Sequence, residues 1–417
     1  MNLRTLKNQD IKNKRVIVRV DYNVPVKDGR IQDTKRIDIS LETINFLLKN
    51  GAKQIILMSH LGRPKTKDTY EQTIKENKNL SLDVVVPTLE KLTNEKIGFY
   101  QSLEIGEEKI VLLENLRFWE GEKKNDKHLA KNLAKVADIY VNDAFSTSHR
   151  AHTSVSAIAE ELPSYAGFSL QKEIEMLSKL TKNPRKPFVM IVGGAKISDK
   201  VSAIENLAKI ADTVLVGGGV ANNFLKADGF NIAKSYLQDA PADMKKQGTD
   251  FVKFADDLLD DNQQEHTLID DFIPLPKIIY PIDVIVAKNI DEREGREVNL
   301  LKCPNGDCYD EDDMFLDIGP RTIKLFSKVI ENAQTIFWNG PMGVFENKAF
   351  ARGTKKIAHA VELSHGESII GGGDTISAIK KFKFENEDFT YVSTAGGASL
   401  EFLSGKELPG LVNLIEE

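Results

Sequence analysis

Along the chain, short and mostly apolar runs of three to five residues alternate with longer stretches in which apolar positions recur every three or four residues. The short runs fall at residues 16–20, 54–58, 110–113 and 139–141 in the first part. In the second they fall at 188–192, 213–216, 282–286, 335–338, 368–370 and 390–393. Apolar runs this short predict strands buried on both faces, and the stretches between them predict covering helices. The fold class that follows is α/β, with two doubly wound parallel sheets of the Rossmann-like kind.

Residues 170–180 carry helical spacing at Leu170, Ile174 and Leu177, and are followed by Asn183, Pro184, Arg185, Lys186 and Pro187. Two prolines so close together end a helix, so a domain boundary is expected there, with domains at 1–185 and 186–403.

Ligands of open parallel sheets gather beyond the carboxyl ends of strands, which makes the residues after each run informative. In the first part these are Asp21, Tyr22 and Asn23; Ser59, His60, Leu61, Gly62, Arg63 and Pro64; Glu114, Asn115, Leu116 and Arg117; and Asn142 with Asp143. In the second they are Gly193, Gly194, Ala195 and Lys196; Gly217, Gly218 and Gly219; Asn339, Gly340 and Pro341; and Gly371, Gly372, Gly373 and Asp374. Imidazole and guanidinium groups suit capture of phosphate and carboxylate, whereas bare backbone with lysine suits a nucleotide.

The stretch 368–376 shows the second chemistry most compactly: a short strand, three glycines, then Asp374 and Thr375 opening a helix. Glycines let backbone approach an anion that the helix N–H groups then face. A plain turn with Asp374 as N-cap fits the same fragment. Ser198 reads as the N-cap of another helix. Lys200 in its first turn opposes the helix dipole unless an anion binds there, and Lys196 precedes it by four residues.

Composition narrows the partners. With 417 residues and 41% apolar content the chain supports two cores. No apolar run approaches the ~18 residues of a membrane span or fits a signal peptide, so no membrane partner and a cytoplasmic location are expected. Cys303 and Cys308 have no second pair or nearby histidine, which predicts two free thiols rather than zinc. The net charge of −6 hides an asymmetry: residues 1–185 hold 31 Lys and Arg against 25 Asp and Glu, the remainder 25 against 37. The basic excess lacks interleaved aromatics and any nucleic-acid motif, so a small phosphorylated metabolite is expected instead of nucleic acid. Common fingerprints fail: there is no GxxxxGK[ST], Asn222 and Ile376 occupy the third small position of a dinucleotide turn, and Asp317-Ile318-Gly319 has no kinase catalytic loop before it. His149, Arg150 and His152 come without a nucleophile elbow.

These motifs, together with Asn142-Asp143-Ala144-Phe145, His149-Arg150-Ala151-His152, Ser198-Asp199-Lys200 and the stretch from Trp338 through Glu346, occur in an order that resembles the phosphoglycerate kinase family over essentially the whole chain. The resemblance implies two lobes joined by a hinge helix with a ligand cleft between them, and residues 404–417 folding back on the first. It implies reversible phosphoryl transfer from 1,3-bisphosphoglycerate to Mg-ADP, giving 3-phosphoglycerate and ATP, by a monomer in glycolysis. Asp21, Asn23, Arg36, Ser59, His60, Leu61, Gly62, Arg63, Arg117 and Arg150 would hold the phosphoglycerate. Ala195, Lys196, Lys200, Gly219, Asn339, Glu346, Gly372, Gly373, Asp374 and Thr375 would hold ATP or ADP, with Glu346 on the ribose and Asp374 on Mg2+. Arg36, Lys196, Gly373 and Gly396 would surround the transferring group.

Several positions depart from the family pattern: Tyr22 stands for Phe, Ser146 for Gly, Ala395 for the first of three glycines, and Phe315 for a Gly beside the nucleotide base. A phenyl ring there would either crowd the base or stack on it. A non-catalytic binding scaffold and a nicotinamide dehydrogenase are the competing classes. The first has no use for Arg36, Lys196, Lys200 and Asp374 together, and the second lacks its fingerprint.

Overall fold

A computed structural model describes residues 1–238, 250–262, 266–269, 273–303 and 306–416. The chain divides into two compact units, one made of residues 1–175 with 406–416 and the other of residues 176–405. The dividing point lies inside the helix Phe168–Thr181.

The first unit contains strands β1 (Arg15–Arg19), β2 (Val26–Lys27), β3 (Arg30–Ile31), β4 (Gln54–Met58), β5 (Ile97–Tyr100), β6 (Ile110–Leu113), β7 (Ile139–Asn142) and β8 (Ser164–Ala166). β2 and β3 form a hairpin, and the other six make a parallel sheet in the order β5-β6-β4-β1-β7-β8. Strand order reverses at β1, where Arg19 pairs with Met58 of β4 and with Asn142 of β7. The loops after these three strands therefore open at a topological switch point. β4 and β6 are buried throughout, as expected for strands covered on both faces. The distant segment 406–416 completes this unit: Arg4 N–H donates to the Leu414 carbonyl at 2.7 Å, Gly410 N–H to the Ser148 carbonyl at 2.8 Å, and Asn142 Nδ2 to the Gly410 carbonyl at 3.0 Å.

The second unit contains β9 (Phe188–Val192), β10 (Thr213–Val216), β11 (His266–Ile269), β12 (Ile273–Pro276), β13 (Ile278–Ile279), β14 (Asp283–Ala287), β15 (Arg296–Asn299), β16 (Met314–Ile318), β17 (Thr335–Asn339), β18 (Glu367–Gly371) and β19 (Tyr391–Val392). Its parallel sheet runs β13-β10-β9-β17-β18-β19, and β15-β14-β16 form a separate antiparallel sheet. The mixed α/β class with two parallel sheets matches the pattern of short apolar runs. One run differs: residues 282–286, expected in the parallel sheet, form the centre of the antiparallel one. That strand is covered on both faces, so its composition does not distinguish the two settings.

Two further expectations are corrected. Cys303 and Cys308 are joined in a disulfide, not free. Ser198 is not an N-cap: the helix Val201–Ala208 starts two residues later with Lys200 at that position, while Ser198 Oγ accepts from Gln238 Nε2 at 2.8 Å.

Candidate functional site

In the first unit the residues after β1, β4 and β6 meet around Arg19, which is 1% exposed and follows the apolar residues Val16, Ile17 and Val18 at the end of β1. Its Nε donates to Ser154 Oγ at 2.9 Å, and one terminal nitrogen donates to His60 Nδ1 at 3.1 Å. Ser154 in turn gives its N–H and hydroxyl to the buried Glu122 carboxylate, at 3.0 and 2.7 Å. Ser59 Oγ accepts from Tyr22 N–H and donates to the Val20 carbonyl, both at 2.8 Å, locking the β1 and β4 ends together. Asn23 Oδ1 accepts Gly62 N–H at 2.9 Å, and Arg117 donates to the Gly62 carbonyl. Arg36, in the first turn of the helix Lys35–Lys49, pairs with Asp21 at 2.7 Å. Ser146, where the resemblance expects glycine, also donates to that carboxylate.

The electrostatics of this cluster are those of crowded, desolvated cations. Burial, then Arg150 and Arg19, with Arg63 contributing, push Arg117 down to about 10, against the pull of Glu122. Its buried Nε has no hydrogen-bond partner among the described residues. Burial, followed by Arg19, holds His60 well below its ordinary value although Asp21 opposes them. His152 is pushed down to about 4 by burial and by Arg117, Arg150 and Arg19. Burial works to raise Asp21, but Arg36, His60 and the Ser146 hydroxyl outweigh it and leave the carboxyl low. Cations that depress one another in a desolvated setting are relieved by a bound polyanion. The structure thus joins Asp21, Asn23, Arg36, Ser59, His60, Leu61, Gly62 and Arg117 through direct contacts, with Arg63 and Arg150 coupled to Arg117 by charge. Arg19, Glu122 and Ser154 were not singled out from sequence as site residues. The one local signal was a charged side chain inside the run 16–20.

In the second unit a cavity of about 350 Å³ lies between the glycine loops after β9, β10 and β17 and the strand β16. Ala195, Gly219, Glu346 and Asp374 line it, beside an apolar wall of Leu225, Tyr236, Val284, Met314 and Phe315. The loops pack backbone on backbone: a Cβ at Gly340 (φ +103) would sit 2.2 Å from the Gly193 carbonyl oxygen, so glycine is required there for closeness as well as conformation. Phe315 is held by an edge-on contact with Tyr309 at 5.2 Å between ring centres.

The remaining residues of this unit are placed as follows. Gly372 (φ +91) is the N-cap of the helix Gly373–Lys381, with no side chain capping it, so the alternative of Asp374 as N-cap is excluded. Asp374 instead sits exposed in the first turn. Thr375 Oγ1 accepts Gly340 N–H at 2.7 Å, tying the two loops. Asn339 is buried with its Nδ2 unpartnered among the described residues, and a Cβ on Gly372 would come within 3.0 Å of that atom. Lys200 donates from Nζ to the Lys196 carbonyl at 3.2 Å. Burial lowers its pKa while Asp199 and Asp374 act to raise it. Lys196 and Gly373 are exposed, and Gly396 (φ +56) is the uncapped N-cap of the helix Gly397–Leu403. Lys196, Lys200, Asn339, Gly372, Gly373, Thr375 and Gly396 do not themselves line the cavity.

A cluster of mutually coupled arginines on one parallel sheet and a glycine-walled pocket on a second are what a phosphotransferase would need. The family model described as Phosphoglycerate kinase matches residues 6–406, and the chain belongs to that family. The chain is 43% identical to a phosphoglycerate kinase of Finegoldia magna, covering 99% of this chain and 98% of that protein. It is 44% identical to one of Moorella thermoacetica, covering 99% of each. Among solved structures, phosphoglycerate kinase from Coxiella burnetii superposes with a TM-score of 0.83 at 37% identity, over 99% of this chain and 98% of that one. The protein is accordingly a glycolytic kinase acting on the carboxyl group of 3-phosphoglycerate, and the non-catalytic reading is not favoured.

Proposed function

We propose that the first unit holds the phosphoglycerate through Asp21, Asn23, Arg36, Ser59, His60, Leu61, Gly62, Arg63, Arg117 and Arg150. The second holds ADP or ATP through Ala195, Lys196, Lys200, Gly219, Asn339, Glu346 and the turn Gly372 to Thr375. The observation that carries this reading is the desolvated Arg117, depressed by its cationic neighbours and with an unpartnered Nε, because only a strongly anionic ligand reverses that cost.

Phosphoryl transfer asks the protein to hold two oxygens in line and to stabilise equatorial charge. On this reading Arg36, Lys196 and the N–H groups of Gly373 and Gly396 supply that field. Asp374 would hold the magnesium. It fits: an exposed carboxylate lining the pocket beside a helix N-terminus matches the one or two carboxylates that Mg2+ takes alongside phosphate oxygens. When bound, the ion would offset the charge of the nucleotide phosphates. The proposal extends to a monomer working in the cytoplasm. A coupled assay with 3-phosphoglycerate, ATP and magnesium tests the whole: turnover is expected, and ATP binding without turnover would leave only a scaffold.

A further inference from the structure

We propose that Arg19 is a positioning residue that holds His60 in the Nε2–H tautomer, so that the imidazole donates Nε2–H to the anion bound in the first unit. The inference rests on the reading of that unit as the phosphoglycerate site. A guanidinium has five donors and no acceptor, so the ring nitrogen 3.1 Å from it must carry a lone pair. That nitrogen is Nδ1, which leaves the proton on Nε2. An imidazolium would set two donors against each other in a site already crowded with charge from Arg117 and Arg150. Nε2 has no hydrogen-bond partner among the described residues and is not among the fully buried unpaired atoms, so its proton is available to a ligand.

The direction of every bond behind Arg19 is also set. Glu122, an acceptor, takes the Ser154 hydroxyl proton at 2.7 Å. The Ser154 oxygen is thereby free to accept Arg19 Nε–H at 2.9 Å, and Arg19 reaches His60 through its terminal nitrogen Nη2. A buried carboxylate at one end and an outward N–H at the other make a polarised chain, in which reversing any single bond leaves two donors facing each other. Arg19 itself is nearly fully buried and spends its donors on Ser154, Ser59, the Val20 carbonyl and His60. Its contribution to binding passes through the imidazole.

The test uses the full chain labelled with 15N-histidine, with His60 assigned among the seven histidines by His60→Gln. Long-range 1H–15N spectra at pH 7 are expected to show His60 protonated at Nε2 and bare at Nδ1. Titration with 3-phosphoglycerate should move that resonance without changing the tautomer. Arg19→Lys, which cannot bridge Ser154 and His60 together, should give mixed tautomers and weaken 3-phosphoglycerate about tenfold, with ADP affinity unchanged. In a His60→Gln background, where the side-chain amide carries its own donor, Arg19→Lys should add less than about twofold. Equal losses in both backgrounds, or an Nδ1–H or doubly protonated His60 in the unmutated protein, would overturn the proposal; the latter needs Arg19→Lys neither to fold nor to bind. An Nε2–H tautomer that 3-phosphoglycerate leaves undisturbed would overturn the assignment of the ligand site instead.

Discussion

Replacing Phe315 by glycine separates the two effects a ring can have in the cavity proposed to take the nucleotide. The ring lines a cavity that still measures about 350 Å³ with the phenyl in place, and Tyr309 braces it edge-on. Space of that size falls in the range of ligand pockets, so stacking on the base, not crowding, is the expected role. Base stacking on an aromatic side chain contributes roughly 1–3 kcal/mol, so Phe315→Gly should weaken ADP by about tenfold or more. The fold pays as well: the Tyr309 contact contributes roughly 0.5–1.5 kcal/mol, and glycine within strand β16 costs a further ~0.5–1 kcal/mol. Phe315→Leu removes the π face while keeping apolar bulk, and should recover most of the stability but little of the affinity. Calorimetric titrations with ADP and with 3-phosphoglycerate, alongside thermal melts, measure all of this. Unchanged or tighter ADP binding in the glycine variant would refute stacking, and a parallel loss of 3-phosphoglycerate affinity would show that the damage is global.

Lys196→Ala should lower turnover far more than nucleotide affinity, because an exposed lysine that contributes charge mainly in the transition state adds little to ground-state binding. Equal losses in kcat and ADP affinity would make it a simple anchor. Arg63→Ala should weaken 3-phosphoglycerate by about 1–2 kcal/mol and leave ADP alone, read from separate titrations. Asp143 is raised to about 7 by burial, against the hydrogen bonds it accepts from Thr43 and the backbone of Leu170 and Ser169. A folded value above the unfolded one means the native state keeps a proton that the unfolded chain releases, so stability falls as pH rises from about 4 to about 7 and then levels. Asp143→Asn keeps an acceptor for those N–H groups and should gain about 1–3 kcal/mol on the parent across that window. Denaturant unfolding at several pH values measures it, and superimposable pH profiles would count against the buried carboxyl.

Strands such as β4, β6 and β9 were legible because an unbroken apolar run has few places to go except between two helical layers. The run at 282–286 was apolar apart from Asp283, yet partner direction depends on what lies across the ladder, and its partners 296–299 and 314–318 carry that information. Residues following strand ends were legible as loops at a topological switch point for the same topological reason. Arg19 was not: it sits inside its run, and what makes it tolerable there, Glu122 through Ser154, comes from more than 100 positions away. One helix start misled: serine suits an N-cap, but backbone geometry gave that position to Lys200 and not Ser198, whereas Asp374 does lie in the first turn of its helix, behind Gly372. The disulfide was hidden by an argument from compartment, which says nothing about whether Cys303 and Cys308 come within bonding distance.

The first unit is assembled from both sides of the second in sequence, and this bears on the order in which a ribosome can deliver a finished molecule. Residues 176–405 are one continuous piece and can close their core as soon as they emerge. The earlier residues 1–175, although synthesised first, lack Gly410 against Ser148 and Leu414 against Arg4 until translation has passed residue 405. During that interval the nascent first unit waits incomplete while a later-made neighbour matures. An arrest of synthesis shortly before residue 406 would therefore leave a polypeptide with a finished second unit and an unsealed first one.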